Sequence, residues 1–385
     1  MALLQHSGRG RSPQTVRTVA LVVLIVVGGT LGSAVFPLLT AWPGGGMEVV
    51  DVGVADGTDS ILVTVSRPVG GDRTLRIEGG DGAVVDPDAD IAFVPSEQLP
   101  AELEPLVGNH RAGVGRVGPW AVVGRLSVAS VNIGGNDVSV VAPANGSVDP
   151  ARKAYFLRQF VGPYRLDAGP SERITIYAGP SDLPGVGRMY PDDTGYVTQR
   201  GFWDGEAASV WIHEYVHARQ NFQLAEEMRW FEEASAVYLS MRMLEEQYGP
   251  VTERDVRRRL ASLPDGEPVA LANPAAWRRS HTDYRRGARL VARIDDRIRS
   301  KTGGTHTVLA VIRRLNAADG PVGIEQFVST LEAITGAEED WVRDRITEPP
   351  ASVSGTSSPA EPSLAPGADA RSGLSGGARG RYRNR

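Results

Sequence analysis

Trp211-Ile-His213-Glu214-Tyr-Val-His217, followed by Trp230-Phe-Glu232-Glu233-Ala-Ser-Ala-Val-Tyr238, is the stretch on which the reading of this 385-residue chain turns. Both pieces sit in segments with helical periodicity, and in a helix residues four apart share a face. His213 and His217 therefore project together, and both imidazoles can reach one ion. Glu214, the next residue, can take a proton from water at an open position beside that ion. Zn2+ suits imidazole and carboxylate ligands and acidifies water to a pKa of about 7, so it is the expected cofactor. A catalytic zinc needs a third protein ligand, and the candidates are acids on the second helix. Neighbouring helical residues point about 100° apart, so only one of Glu232 and Glu233 can face the metal. Ala234, Val237 and Met241 form an apolar stripe beside Glu233, which marks Glu233 as the ligand and leaves Glu232, like Glu226 and Glu227, in solvent. The competing reading is a helix whose His residues face water or cap a core.

Outward from this motif, the chain from 205 to 347 reads as nearly all helix: 205–224, 228–247, 251–262, 284–301, 305–316, 322–334 and 337–346. Asp204 stands at an N-cap position, and Gly303 and Gly320 at C-caps. A helix is expected at 150–161, then a strand at Arg173–Tyr177 and another at 195–198. Before Asp149 the texture differs. Glu48–Val54, Ile61–Val65, Thr74–Ile77, Trp120–Val123 and Val138–Val141 read as short strands separated by Gly, Asp and Pro, which is a β-rich domain. The expected fold class is α+β, with the β-rich domain at 47–148 and a mostly helical catalytic domain at 149–348.

The two ends bear on location. Between Arg17 and Glu48 lie 30 uncharged residues, including Ala20-Leu-Val-Val-Leu-Ile-Val-Val27. About 20 apolar residues suffice to cross a bilayer, so 18–42 is read as a transmembrane helix. Arg9, Arg11 and Arg17 precede it, and the positive-inside rule places residues 1–17 in the cytoplasm and the body outside. The alternative is a cleaved signal peptide ending near Gly32-Ser33-Ala34, which would give a secreted body. Residues 349–385 are rich in Pro, Ser, Gly and Ala without apolar periodicity, the pattern of a disordered tail.

Composition narrows the function further. The chain has no cysteine, which excludes disulfides, thiol catalysis and Cys-ligated zinc. Its 41 basic and 46 acidic residues are unevenly spread. Three Arg lie in 1–47, and five Arg against Glu361 and Asp369 lie in 351–385. The middle therefore holds 33 basic and 44 acidic residues. An acidic body argues against nucleic acid as a partner.

Trp-x-x-Glu-x-x-Ala-x-Tyr after a His-Glu-x-x-His helix resembles the gluzincin metallopeptidases, the peptidase MA-like group. Asp283-Tyr284-Arg-Arg-Gly287-Ala288, with the helix that follows it to Gly304, is similar to the Tyr-x-Lys-Gly helix of the glycyl aminopeptidase-like family. The likeness covers roughly residues 170–346. It implies a thermolysin-like zincin domain with His213, His217 and Glu233 as zinc ligands and Glu214 as general base and acid. Tyr284 would then be the phenol that hydrogen-bonds a developing oxyanion; without the resemblance it reads as an amphipathic Tyr at a helix start. The sequence departs from the family in several places. Fifteen residues separate His217 from Glu233, so the two helices are expected to join by a tight turn. Arg286 replaces the usual Lys and Ala234 the usual Gly. No match to the Gly-x-Met-Glu-Asn strand that holds a free amino terminus is found. The function implied is hydrolysis of a peptide or protein substrate by a membrane-anchored, outward-facing zinc metallopeptidase, aminopeptidase or endopeptidase. The alternative is a non-catalytic surface-anchored binding protein that retains the zincin fold. Around the site, His281 can line the cleft or lie exposed, and Arg219 and Gln220 can support the ligands. Arg254, Arg257, Arg258 and Arg259 read as a solvated helix face.

Overall fold

The computed structural model describes residues 46–350 except 56–59, 79–81, 163–172, 202–206, 264–267 and 278–280. The expected cytoplasmic segment 1–17, the expected membrane helix 18–42 and the tail beyond Pro350 lie outside the described residues. Among the described residues no helix is long and apolar enough to cross a membrane.

The fold is mixed α/β, with sheet in the N-terminal part and helices in the C-terminal part. Strands β1 (Glu48–Val54), β2 (Ile61–Ser66) and β3 (Arg73–Ile77) form an antiparallel meander. In β1 the buried residues Val49 and Val52 are three apart, a spacing that strict alternation would split between two faces. A register shift between Val49 and Asp51 brings both inward. A second antiparallel sheet has the order β4 (Val84–Asp86), β5 (Ile91–Pro95), β7 (Trp120–Gly124), β6 (Val114–Val117). An aliphatic core that includes Val63, Val65, Val94, Val114 and Val123 packs these two sheets together.

The third sheet positions the site. Its order is β11 (Gly187–Met189), β12 (Thr194–Thr198), β10 (Arg173–Gly179), β9 (Asn136–Pro143), β8 (Leu126–Ile133). Its three central strands are parallel, and both edges are antiparallel. A parallel pair needs a crossover, and α1 (Pro150–Val161) supplies it between β9 and β10. Asp149 caps α1 by accepting from the Ala151 and Arg152 N–H groups, with Pro150 at the first helical position. The sheet crosses the boundary expected at 148/149, because β8 and β9 lie before it and β10 to β12 after it. Phe93 and Val122 of the second sheet also pack with Val141, Tyr177 and Tyr196 of the third.

The helices are α2 (Val210–His217), α3 (Trp230–Gln247), α4 (Glu253–Ser262), α5 (Pro274–Trp277), α6 (Ala288–Thr302), α7 (Val308–Asn316), α8 (Ile324–Thr335) and α9 (Asp340–Thr347). A π-helical turn, Asp283–Gly287, leads into α6. The helix expected at 205–224 is shorter than its periodicity suggests. Ser209 caps it by accepting from the Ile212 N–H, and the expected cap Asp204 lies outside the described residues. After His217 the N–H groups of Arg219 and Gln220 bond three residues back, which tightens and ends the helix. The tight turn expected before α3 is instead an extended segment paired at Leu224 with Val322, then a 3₁₀ turn at Glu226–Met228.

Candidate active site

Helix α2 presents His213 and His217 one turn apart with their Nε2 atoms 3.0 Å from each other. Their rings meet edge to face, with centroids 4.6 Å apart. From α3, Glu233 places Oε2 3.3 Å from both nitrogens. This is the group of His and carboxylate ligands that could hold an ion among the described residues. Glu232 points away and is exposed, as the facing of α3 requires.

The geometry fits zinc on three counts. Donors at 2.0–2.1 Å from a tetrahedral ion lie about 3.3 Å apart, close to the separations seen here. Glu233 Oε2 is buried and has no partner aligned for a hydrogen bond, an orphan that the interior of a protein rarely tolerates. The third count is the tautomer of His217. Gln220 Nε2 donates to the Glu232 carbonyl at 2.9 Å and to Ser235 Oγ at 2.8 Å. A backbone carbonyl can only accept, so the amide orientation is fixed and Oε1 is left facing His217 Nδ1 at 2.7 Å. Nδ1 must therefore donate, and in the neutral ring Nε2 carries its lone pair toward His213 and Glu233.

The electrostatics of these residues agree. Burial alone would lower the His217 imidazole, but the Glu233 carboxylate, with Glu214 and Gln220, raises it to about 9. Burial alone would raise Glu233, yet the two imidazoles hold it well below the usual carboxylate range. Two facing imidazoles and a carboxylate thus call for positive charge at their centre. Glu214 is only 3% exposed, and burial pushes its carboxyl up against the lowering pull of both histidines. A methyl group at position 187 would collide with the Glu214 carboxylate, so Gly187 lets the edge strand β11 approach it.

Tyr284, in the π turn, stacks over His213 with 17° between the rings and centroids 6.2 Å apart. Burial followed by the nearby Glu233 charge pushes its phenol far up. His213, Glu214 and Tyr284 all line a cavity of about 600 Å³, together with Gly187, Val237 and Met241. His281 also lines it, with φ of 51° and its ring edge-on to Tyr284.

The structure brings together His213, His217, Glu233, Glu214 and Tyr284. It separates others. Arg219 is buried and donates to Asn136 Oδ1 at 3.1 Å, while its carbonyl accepts from Asn316. Of this adjacent pair, Gln220 is the residue that bonds His217. Arg286 lies outside the cavity and donates to the carbonyls of Val269, Arg345 and Glu348, clamping the π turn to α9. Arg257 and Arg258 pair with Glu253 and Asp255 on the solvated face of α4, as expected. Arg259 is exposed, as expected, and also lines the cavity. The sequence reading missed β11, whose signal is Gly185-Val-Gly187 ahead of a short antiparallel partner of β12.

No protein family matches this chain by its sequence, and no curated protein does. Solved structures do. An aminopeptidase N family protein from Idiomarina loihiensis matches with TM-score 0.50 and 14% identity, over 60% of this chain and 48% of that one. The chain shares its fold. Legionella pneumophila aminopeptidase A, solved in complex with aspartic acid, matches with TM-score 0.48 and 11% identity, over 81% of this chain and 50% of that one. An M1 zinc metallopeptidase from Deinococcus radiodurans matches with TM-score 0.44 and 15% identity, over 78% and 62%. The chain spans about half the length of the first two. Identities this low speak to fold, and the chemistry has to come from the site.

Proposed function

We propose that this protein is a zinc-dependent metallopeptidase of the gluzincin type, with His213, His217 and Glu233 as metal ligands and Glu214 as general base. The observation that carries the proposal is the convergence of His213 Nε2, His217 Nε2 and Glu233 Oε2 at 3.0–3.3 Å beside a cavity walled by Glu214. Zinc held by these three residues would supply Lewis acidity, polarising a peptide carbonyl and acidifying water. Glu214 takes a proton from the attacking water and returns it to the departing amine; burial tunes its carboxyl upward, toward working pH. The Tyr284 hydroxyl, already at the cavity wall, donates to the oxyanion that develops on the substrate. Among the described strands β11 is the edge of its sheet, and it lies beside Glu214, where an extended peptide backbone would run. The resemblance of the Asp283–Ala288 segment to the glycyl aminopeptidase-like Tyr-x-Lys-Gly helix favours a thermolysin-like catalytic domain. The charge-free segment 18–42 supports a body anchored to the membrane and facing outward, which external protease treatment of intact cells tests.

The purified full-length chain should hold close to one zinc ion and cleave peptides. Glu214→Gln should keep the metal and lower kcat at least about 10³-fold, the scale of losing a general base together with its charge. Metal analysis finding no zinc under replete conditions, or full activity in Glu214→Gln, would overturn the proposal.

A further inference from the structure

Tyr284 and Arg285 are adjacent in sequence, yet both line the same cavity. In a regular α-helix neighbours diverge by about 100°. Here the segment Asp283–Gly287 forms a π turn at the cavity wall, and such turns concentrate at functional sites. His281, at the start of this turn with its backbone in the left-handed region, places its ring against Tyr284.

The three arginines of this segment have different employment. Arg286 donates to the carbonyls of Val269, Arg345 and Glu348, and Arg289 to that of Leu263. Arg285 is half-buried in the cavity wall, and among the described residues its guanidinium makes no hydrogen bond or ion pair. Arg259 and His281 line the same cavity, while Glu214 is the single carboxylate in its described lining. That carboxylate is buried and already set against the two histidines. Among the described lining residues a peptide ammonium finds no other acid, whereas a carboxylate finds a guanidinium able to grip both its oxygens.

We infer that the cavity seats a substrate carboxylate against Arg285, so that the enzyme selects peptides with an acid, either a side chain or the free C-terminus, next to the scissile bond. This deepens the peptidase reading and rests on it for the word substrate. Binding, however, is measurable without catalysis. The probe is a fluorescent peptide titrated against full-length Glu214→Gln protein, followed by anisotropy. Four peptides of one sequence separate the sources: Glu or Gln at the central position, each with a free or an amidated C-terminus.

At least one carboxylate should tighten binding about tenfold or more, the scale of a charge-assisted hydrogen bond. Whether it is the side chain or the terminus identifies the source. Arg285→Gln should reduce the preference to under twofold, and Arg285→Lys should restore part of it. Equal binding of all four peptides, no measurable binding of any, or a preference intact in Arg285→Gln would overturn the inference. Wild-type protein that prefers the carboxylate but hydrolyses nothing would sink the peptidase reading and leave this site standing. Hydrolysis without carboxylate preference would do the reverse.

Discussion

Helix α3 serves two carboxylates that differ in how fully they are satisfied. Tyr238, five residues after Glu233 and so about 140° round the helix, donates to Asp295 Oδ2 at 2.8 Å. Arg299 Nε reaches the same oxygen at 2.8 Å, and the Val308 N–H donates to Oδ1 at 2.6 Å. Asp295 is 1% exposed and both its oxygens are met, so the group ties α3, α6 and α7 together. Glu233 stands on the other side, near two imidazoles, with Oε2 lacking any aligned donor. Filled valence marks a structural carboxylate, whereas an orphaned buried oxygen fits the metal-ligand role proposed for Glu233. The β-sheet part sharpens the contrast. Every buried charged side chain among the described residues lies at 214 or later. The fold thus confines the cost of burying charge to the region where function and helix packing need it.

The largest effect should come from setting these two carboxylates against each other. In wild type, zinc at 1,000-fold above its Kd should add about 4 kcal/mol to stability relative to chelator-treated protein. Glu233→Gln should abolish that difference. Asp295→Ala should keep it, while lowering stability by about 2–4 kcal/mol in both states, because Arg299 and the α7 N-terminus lose their partner. Urea unfolding of the three proteins with zinc and with chelator measures both. Zinc-linked stability that survives Glu233→Gln, or vanishes in Asp295→Ala, would reverse the assignments.

This pair also shows what the sequence could and could not convey. The convergence of His213, His217 and Glu233 was legible because it depends on local geometry: four-residue spacing within one helix, and the facing of Glu233 against the Ala234 stripe. Helix α1 was legible because Asp149-Pro150 writes its own cap. What escaped depends on long-range closure. β11 is three residues long, too short for alternation to register. The five-stranded sheet joins β8 and β9 to strands beyond α1, so a change of texture at 149 concealed one continuous sheet. Helix α2 ends early because the chain at 219–225 is drawn to Asn136, Asn316 and Val322, partners distant in sequence. The π turn has no periodic signature, so the direction of Arg285 could not be read.

Two tyrosines extend the comparison at the next scale of effect. Each answers to a carboxylate: Tyr238 donates to Asp295, and the Glu233 charge helps push the Tyr284 phenol up. Tyr284→Phe should lower kcat about 10²–10³-fold, or roughly 3–4 kcal/mol, with KM and unfolding midpoint little changed. Tyr238→Phe should leave kcat alone and cost stability on the order of 1 kcal/mol. Steady-state kinetics beside thermal unfolding separate the two. A fall of less than about fivefold for Tyr284→Phe, near 1 kcal/mol, would return Tyr284 to a packing role without touching the metal ligands.

The smallest predicted effect tests how the ligands are held. Arg219 and Gln220 are neighbours at the end of α2, and the first anchors the chain while the second bonds a ligand. Gln220 can fix the His217 tautomer only because its amide is itself fixed by the Glu232 carbonyl and Ser235. Gln220→Ala should release Nδ1 and weaken zinc binding about 10–100-fold, the usual cost of losing a group that orients a ligand. Competition with a chromophoric chelator reads that change directly, with no need for a substrate. Ser235→Ala removes one of the two restraints on the amide and should produce a smaller loss in the same direction, while an exposed control, Glu232→Gln, should change nothing. Zinc affinity in Gln220→Ala equal to wild type would mean that the histidine pair is oriented by packing alone, and the distinction drawn between Arg219 and Gln220 would fall.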